Sequence, residues 1–313
     1  MKNLYLITVI FLLSSCQTLS SIQETLGFVE EDPNAPVKLD ENYESFLDIS
    51  WQKKIEKPLL DLSFFGENIE SNIFFDINAG TIYNLNEKQL ELIDADTGQL
   101  SEVFELETDR IISGVSVGYN SFFYVDADGI VYAHDANSGD LKWEKELEDV
   151  VLSKILITST QAFLQTSSDV LYGMDLQTGE TKWQKQAQAP LLSIRGTASP
   201  IIYEGLIFTS FSNGRLAAVR AVDGIQLWEK PISRLKGSTE LEKLMDGDSN
   251  AITINEEVFV ANYNGSLTRF NIRSGDKVFS VDHSTSKPIL FNKGKILSCL
   301  LYTSPSPRDF VRS

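Results

Sequence analysis

The side chains that could do chemistry in this chain are few and scattered. Two histidines, His134 and His283, stand apart from each other. An isolated imidazole beside a turn, as at His134, is more often a surface or packing residue than a ligand. Carboxylates pair at Asp94 and Asp96, at Asp126 and Asp128 before Gly129, and at Asp246 and Asp248 around Gly247. Oxygen ligands in short runs suit calcium, but an EF-hand loop also needs further ligands, a bidentate Glu at its twelfth position and flanking helices. The first two pairs therefore read as turn formers between strands, whereas the third closes an insertion over residues 233–248. No CxxC, HExxH, GxSxG or phosphate-loop pattern occurs. The reading assigns no catalytic residue, no metal and no cofactor, and it expects a protein that is not an enzyme.

The thiols tell more. After Met1-Lys2-Asn3 comes an apolar run over residues 4–13, too short to span a bilayer as a helix and similar to the charged and apolar regions of a secretory signal. It ends in Leu13-Ser14-Ser15-Cys16, which resembles the lipobox of bacterial lipoproteins, in which the cysteine thiol and the new N-terminus are acylated. More than one acyl chain matters, because a single one gives only marginal membrane residence. Gln17 follows where an inner-membrane retention signal has Asp, so the resemblance implies an outer-membrane anchor facing the periplasm. With Cys16 acylated, Cys299 has no partner and no disulfide framework is expected.

The elements that must carry these residues come from a recurring cassette. It reads Asp135-Ala136-Asn137-Ser138-Gly139 with Trp143, Asp175-Leu176-Gln177-Thr178-Gly179 with Trp183, and more loosely Ala221-Val222-Asp223-Gly224 with Trp228. Related turns at Gly98 and Gly275 complete a spacing of roughly 40 to 50 residues, the period of a four-stranded propeller blade. A second turn, Asp128-Gly129, Ser168-Asp169, Asn213-Gly214 or Asn264-Gly265, precedes the cassette glycine by ten residues. Such pairs supply the positive φ of tight hairpins, and the runs between them (121–125, 130–133, 206–210, 258–261) are rich in strand formers. Helical repeats would need long 3.6-residue stripes instead.

The predicted fold is thus all-β, a propeller of four-stranded antiparallel blades. One large ring per repeat fits an inter-blade wedge. Trp143, Trp183 and Trp228 each follow their glycine by four residues, and Phe279 does so after Gly275. Glu102 occupies that place after Gly98, leaving Val103 or Phe104 to fill in. Trp51 has no cassette before it and reads as an N-terminal strand that closes the last blade. The expected organisation is a signal over 1–15, an acylated cysteine and polar tether over 16–50, a partial propeller over 51–298 and a non-native tail over 299–313. That tail carries no repeat pattern and resembles the translation of a sequencing adapter.

At 313 residues and 42% hydrophobic content the chain can bury a large core. Its net charge of −17 argues against nucleic-acid binding, which needs clustered Lys and Arg.

The cassette resembles the pyrroloquinoline-quinone-type propeller repeat. The lipobox and tether, the stretch Leu192-Ser193-Ile194-Arg195-Gly196, residues 232–240, Asp246 to Asp248 and residues 263–268 make the chain similar to the BamB family of outer-membrane assembly lipoproteins. That resemblance runs from Cys16 to about Ser298 and implies an eight-bladed scaffold, of which five to six blades are represented here. It further implies binding to BamA, the central barrel protein of the assembly complex, beside the complex's other lipoproteins, with unfolded outer-membrane proteins as candidate clients. Carried onto this sequence, the contact residues are Leu192, Ile194 and Arg195 together with Asp246 and Asp248, with Ile194 in place of the family's Leu. The alternative, from alternation alone, is that Leu192 and Ile194 point into a blade core. The alternative is a fragment of a quinone-dependent periplasmic dehydrogenase, although such enzymes carry additional metal ligands and a longer chain.

Overall fold

The computed structural model describes residues 50–52, 75–86, 88–187, 198–233, 249–285 and 288–298, and among them all regular structure is β. Five four-stranded antiparallel sheets follow one another along the chain. The first comprises β1 (Phe75–Asn78), β2 (Thr81–Asn86), β3 (Gln89–Asp94) and β4 (Leu100–Glu105). The second comprises β5 (Ser116–Gly118), β6 (Ser121–Val125), β7 (Ile130–Asp135) and β8 (Leu141–Glu146). The third holds β9 (Leu156–Ile157), β10 (Gln161–Gln165), β11 (Val170–Asp175) and β12 (Thr181–Gln186). The fourth holds β13 (Ile201–Tyr203), β14 (Leu206–Phe211), β15 (Arg215–Arg220) and β16 (Gln226–Pro231). The fifth is β17 (Ile252–Ile254), β18 (Glu257–Val260), β19 (Ser266–Asn271) and β20 (Lys277–Asp282), and a hairpin of β21 (Leu290–Asn292) and β22 (Lys295–Leu297) follows it. These are five blades and the start of a sixth.

Four of the five cassettes are Asx turns at the hairpin between a blade's third and fourth strands. The Asp135 carboxylate accepts the amides of Asn137 and Ser138, and the Gly139 amide returns to the Asp135 carbonyl. Asp94, Asp175 and Asn271 repeat this arrangement. The loose fourth cassette has Arg220 there, paired with Asp223. Asp94 and Asp126 spend their oxygens on amides of their own turns, which is the turn chemistry expected of them.

Asp175 is held down to about 2, first by the Lys182 ammonium and then by the Gln177 and Thr178 amides. A carboxyl depressed in the folded state adds stability above its unfolded value near 4, and that stability is lost as pH falls through about 2. An Asp175→Asn variant is therefore expected to be about 1 kcal/mol less stable at neutral pH, a gap limited by the solvent around the pair. Urea midpoints taken at successive pH values should show the gap closing below about pH 4.5.

The rings join neighbouring blades. Trp143 lies on Gly179, where an added Cβ would come within 2.6 Å of the indole, and its Nε1–H donates to the Leu176 carbonyl at 3.0 Å. Trp183 sits in the same way on Gly224 and donates to Ala221, and Trp228 sits on Gly275 and donates to Ile272. The cassette glycines combine positive φ with this close approach, so no other residue fits. Between the first and second blades Phe104 takes the part, stacked on Gly139. It lies on the same face of β4 as Glu102, whereas Val103 points away and is exposed. A register shift recurs between the third and fourth strands of every blade, beside the ring position, and turns the ring towards the next blade.

Ahead of the first blade, Trp51 rests on Gly98 and donates to the Ala95 carbonyl at 2.9 Å. Residues 50–52 form no strand, so the expected closing strand is absent there, yet the ring makes the same seam as the others. Phe279 is 45% exposed, with no further cassette glycine against it among the described residues. The apolar core consists of layers between successive blades. One contains Leu90, Phe104, Phe122 and Tyr124, and the next contains Phe123, Val131, Trp143, Leu164 and Met174.

Candidate functional site

Two rims are defined by repeated backbone bonds. On one, the turn between the first two strands meets the cassette, as in Ala95 N–H to Gly80 O and Ala221 N–H to Gly205 O. On the other, the turn between the middle strands meets the end of the fourth, as in Leu147 N–H to Gly129 O and Ile232 N–H to Gly214 O. The connections between blades start on this second rim. Two of them contain the sequence-predicted contact residues, one between β12 and β13 and the other between β16 and β17. Leu192, Ile194, Arg195, Asp246 and Asp248 themselves lie outside the described residues, as does Cys16.

The points where these two connections leave and return are well defined. The first leaves at Ala187, whose amide donates to the Asp169 carbonyl. Asp169 is the turn residue at positive φ and is 2% exposed; its carboxylate accepts the Ser212 amide and hydroxyl from the fourth blade and the Gln165 amide from its own. Burial pushes this carboxyl above its ordinary value, against those hydrogen bonds. Gln165 also accepts the Thr209 hydroxyl and donates to the Ser210 carbonyl, so a polar seam joins the third and fourth blades beside the Asp169 turn.

The second connection leaves at Ile232 and Ser233, both buried. The Ile232 carbonyl accepts the Thr268 hydroxyl at 2.8 Å and the Lys277 ammonium at 3.0 Å. The Ser233 hydroxyl donates to Asn262 Oδ1 at 2.6 Å. The two connections return side by side, because the Ser199 amide donates to Asn250 Oδ1 at 2.7 Å. The structure thus brings together the returning flanks, at Ser199 and Asn250, of the two connections in which the predicted contact residues fall.

His134 is buried rather than displayed. Its ring stacks on Phe122 with centroids 4.7 Å apart, Nδ1 faces the Gly139 carbonyl at 3.0 Å, and Nε2 faces Tyr124 Oη and the Glu107 carboxylate. Burial and the adjoining Glu107 push the Tyr124 phenol up, and burial beside Asp126 pushes Tyr132 up to about 12. This cluster fills the layer between the first and second blades. Sequence reading missed it because Glu107 lies on a connection, distant in the chain from Tyr124 and His134. His283 pairs with Ser298 Oγ at 2.7 Å. Among the described residues no group of three or more His, Cys, Asp and Glu side chains is arranged to hold a metal.

A family model described as outer membrane protein assembly factor BamB matches residues 86–298. The protein of that name from Escherichia coli K12 is 37% identical over 172 residues, 55% of this chain and 44% of the relative. The one from Yersinia pestis is 28% identical over 217 residues, 66% of this chain and 55% of the relative. The chain thus spans about half the length of these curated relatives. Among solved structures, BamB from Moraxella catarrhalis superposes with a TM-score of 0.63 at 23% identity, over 69% of this chain and 65% of that one. A europium-containing methanol dehydrogenase superposes with a TM-score of 0.52 at 13% identity, over 66% of this chain and 50% of that one. At these identities the two superpositions speak for the propeller fold alone.

Proposed function

Since the chain belongs to the outer membrane protein assembly factor BamB family, we propose that it is a non-enzymatic scaffold of the outer-membrane β-barrel assembly complex. In this reading it is acylated at Cys16, held to the outer membrane by the tether over 16–50, and faces the periplasm. The propeller then binds a periplasmic domain of BamA and assists insertion of barrel proteins. Leu192, Ile194 and Arg195 provide the anchor, and Asp246 and Asp248 provide a charged border. The observation that carries the reading is the Ser199–Asn250 hydrogen bond, which joins the returns of the two connections on which those residues lie. Two aliphatic residues beside an arginine, together with two carboxylates, have the composition of an interface hot spot.

The dehydrogenase alternative shares the fold at 13% identity. One preparation separates the two readings. The chain, co-expressed with the periplasmic region of BamA, should co-purify with it and should show no quinone-and-calcium-dependent oxidation of alcohols. Failure to co-purify, or turnover in that assay, overturns the proposal.

A further inference from the structure

His134 is a titratable side chain with no exposed surface, and the atoms around it fix where its protons are. Nδ1 lies 3.0 Å from the Gly139 carbonyl, and a carbonyl oxygen only accepts, so Nδ1 carries a hydrogen. On the other side of the ring, Nε2, Tyr124 Oη and Glu107 Oε2 form a triangle. Tyr124 Oη donates to Glu107 Oε2 at 2.5 Å, and the phenol has no second hydrogen. It keeps the one it has, since burial and then Glu107 push it up. Nε2 is 3.0 Å from the same carboxylate oxygen and 3.1 Å from the phenol oxygen. A bare Nε2 lone pair there would face oxygen lone pairs at both contacts. One further proton, on Nε2, turns both into hydrogen bonds, and the bond to the carboxylate is then charge-assisted.

We infer that His134 is a proton-operated tie: with hydrogen on both ring nitrogens, it holds the start of the connection between the first and second blades against the second blade through Glu107. The inference does not rest on the partner-binding reading above. Further along, the connection is held by the backbone. The Ile112 amide donates to the Val125 carbonyl at 3.0 Å, the Arg110 carbonyl accepts the Ala127 amide at 2.8 Å, and Ser113 Oγ accepts the Val125 amide at 2.8 Å. Glu107 meets the second blade through Tyr124 and His134 instead, and its own amide donates to Tyr124 Oη at 3.3 Å. The other ionisable groups of the layer are Tyr132, pushed up to about 12 first by burial and then by Asp126, and Tyr83 of the first blade, pushed up by burial. Asp126 and Glu144 stand against Tyr132, and Glu107 is the carboxylate that meets the imidazole. Its side chain is 36% exposed, so water solvates the carboxylate once the imidazole stops donating to it. The tie is therefore present while Nε2 holds its proton and is lost as rising pH removes it.

The test joins two readouts on the full chain. Nitrogen-15 NMR of histidine-labelled protein, with His283→Gln to assign the two imidazoles, reports which ring nitrogens are protonated. Hydrogen exchange read by mass spectrometry reports the hold on residues 106–110 and, separately, on 111–115. At the acid end of the range in which the chain stays folded, both His134 nitrogens should carry hydrogen. As pH is raised the Nε2 proton should leave, and over the same pH interval exchange in 106–110, corrected for its chemical rate, should quicken about tenfold while that in 111–115 holds. Glu107→Gln keeps the shape of the side chain and removes its charge. In that variant His134 should give up its proton at a lower pH than in the parent, and 106–110 should exchange at the faster rate throughout.

A bare Nε2 at the acid end overturns the inference, as does a proton that stays on Nε2 throughout the folded range. Exchange in 106–110 that ignores the departure of the proton also overturns it, because the ring would then be packing and not a tie. So does a Glu107→Gln chain whose His134 titrates as the parent's does. If Glu107→Gln does not fold, the two segments of the parent chain, compared as the Nε2 proton leaves, decide the matter alone.

Discussion

Replacing Trp143 with alanine is expected to destabilise the chain by about 3–5 kcal/mol, the range for a large ring removed from a packed layer. The indole is 9% exposed and lies between Phe123 of its own blade and Gly179 of the next. Its loss opens a void that the neighbouring backbone cannot close, since Gly179 is fixed by its turn. It also takes from the Leu176 carbonyl the indole donor 3.0 Å away. Urea unfolding read by fluorescence of the remaining tryptophans should show a large fall in midpoint. A midpoint within about 1 kcal/mol of the parent would mean that the seam is not what couples the second and third blades. Trp51→Ala should cost less, because Trp51 is only half-buried.

The glycine half of each seam argues the same point from the other side. Gly179 has φ of 71°, and a Cβ there would lie 2.6 Å from Trp143. In the third blade Gly173, which has ordinary φ, must also stay small because a Cβ there would run into the Trp183 indole. The equivalent places next to Trp143 and Trp228 are Ala133 and Ala218. The second, third and fourth blades thus each set one small residue opposite one tryptophan.

Most of this fold was legible in the chain because it depends on local rules repeated at a fixed distance. The run at 121–125 coincides with β6, and the Asp-Gly and Asn-Gly pairs mark the turns between middle strands. Choosing Phe104 over Val103 needed only the period of two along β4, since the ring has to share a face with Glu102. The innermost strands were harder to read. β9 is a single pair, Leu156–Ile157, and nothing in so short a run separates a strand from a loop. The contact of the exposed Glu107 with the buried Tyr124 and His134 was illegible because it joins a connection to the second blade and no local pattern links its members. The Ser199–Asn250 bond is similar, for its partners are 51 residues apart and each looks like an ordinary polar loop residue. Family resemblance supplied the proposed contact residues that precede Ser199 and Asn250 in the chain, and only the structure supplied the tie.

The second large effect concerns the proposed contact residues. Leu192→Ala and Arg195→Ala are each expected to weaken association with the BamA periplasmic fragment by 2 kcal/mol or more, roughly thirtyfold. An arginine at the centre of an interface loses fixed, charge-assisted hydrogen bonds when truncated, and it leaves its partner's acceptors desolvated and unpaired. A leucine in a fitted pocket loses its transfer energy and leaves a void. Asp246→Ala and Asp248→Ala should act differently, because border charges mainly steer the encounter. Their effects should be a few-fold, should fall on the association rate, and should shrink as salt is raised. Surface plasmon resonance at two salt concentrations resolves the rates, with urea midpoints as the control for folding. Were Leu192 instead core of a blade, its truncation would lower the midpoint along with the affinity, whereas an interface residue leaves the midpoint unchanged. Undiminished binding by both Leu192→Ala and Arg195→Ala would remove this rim from consideration and require the partner surface to be sought elsewhere on the propeller.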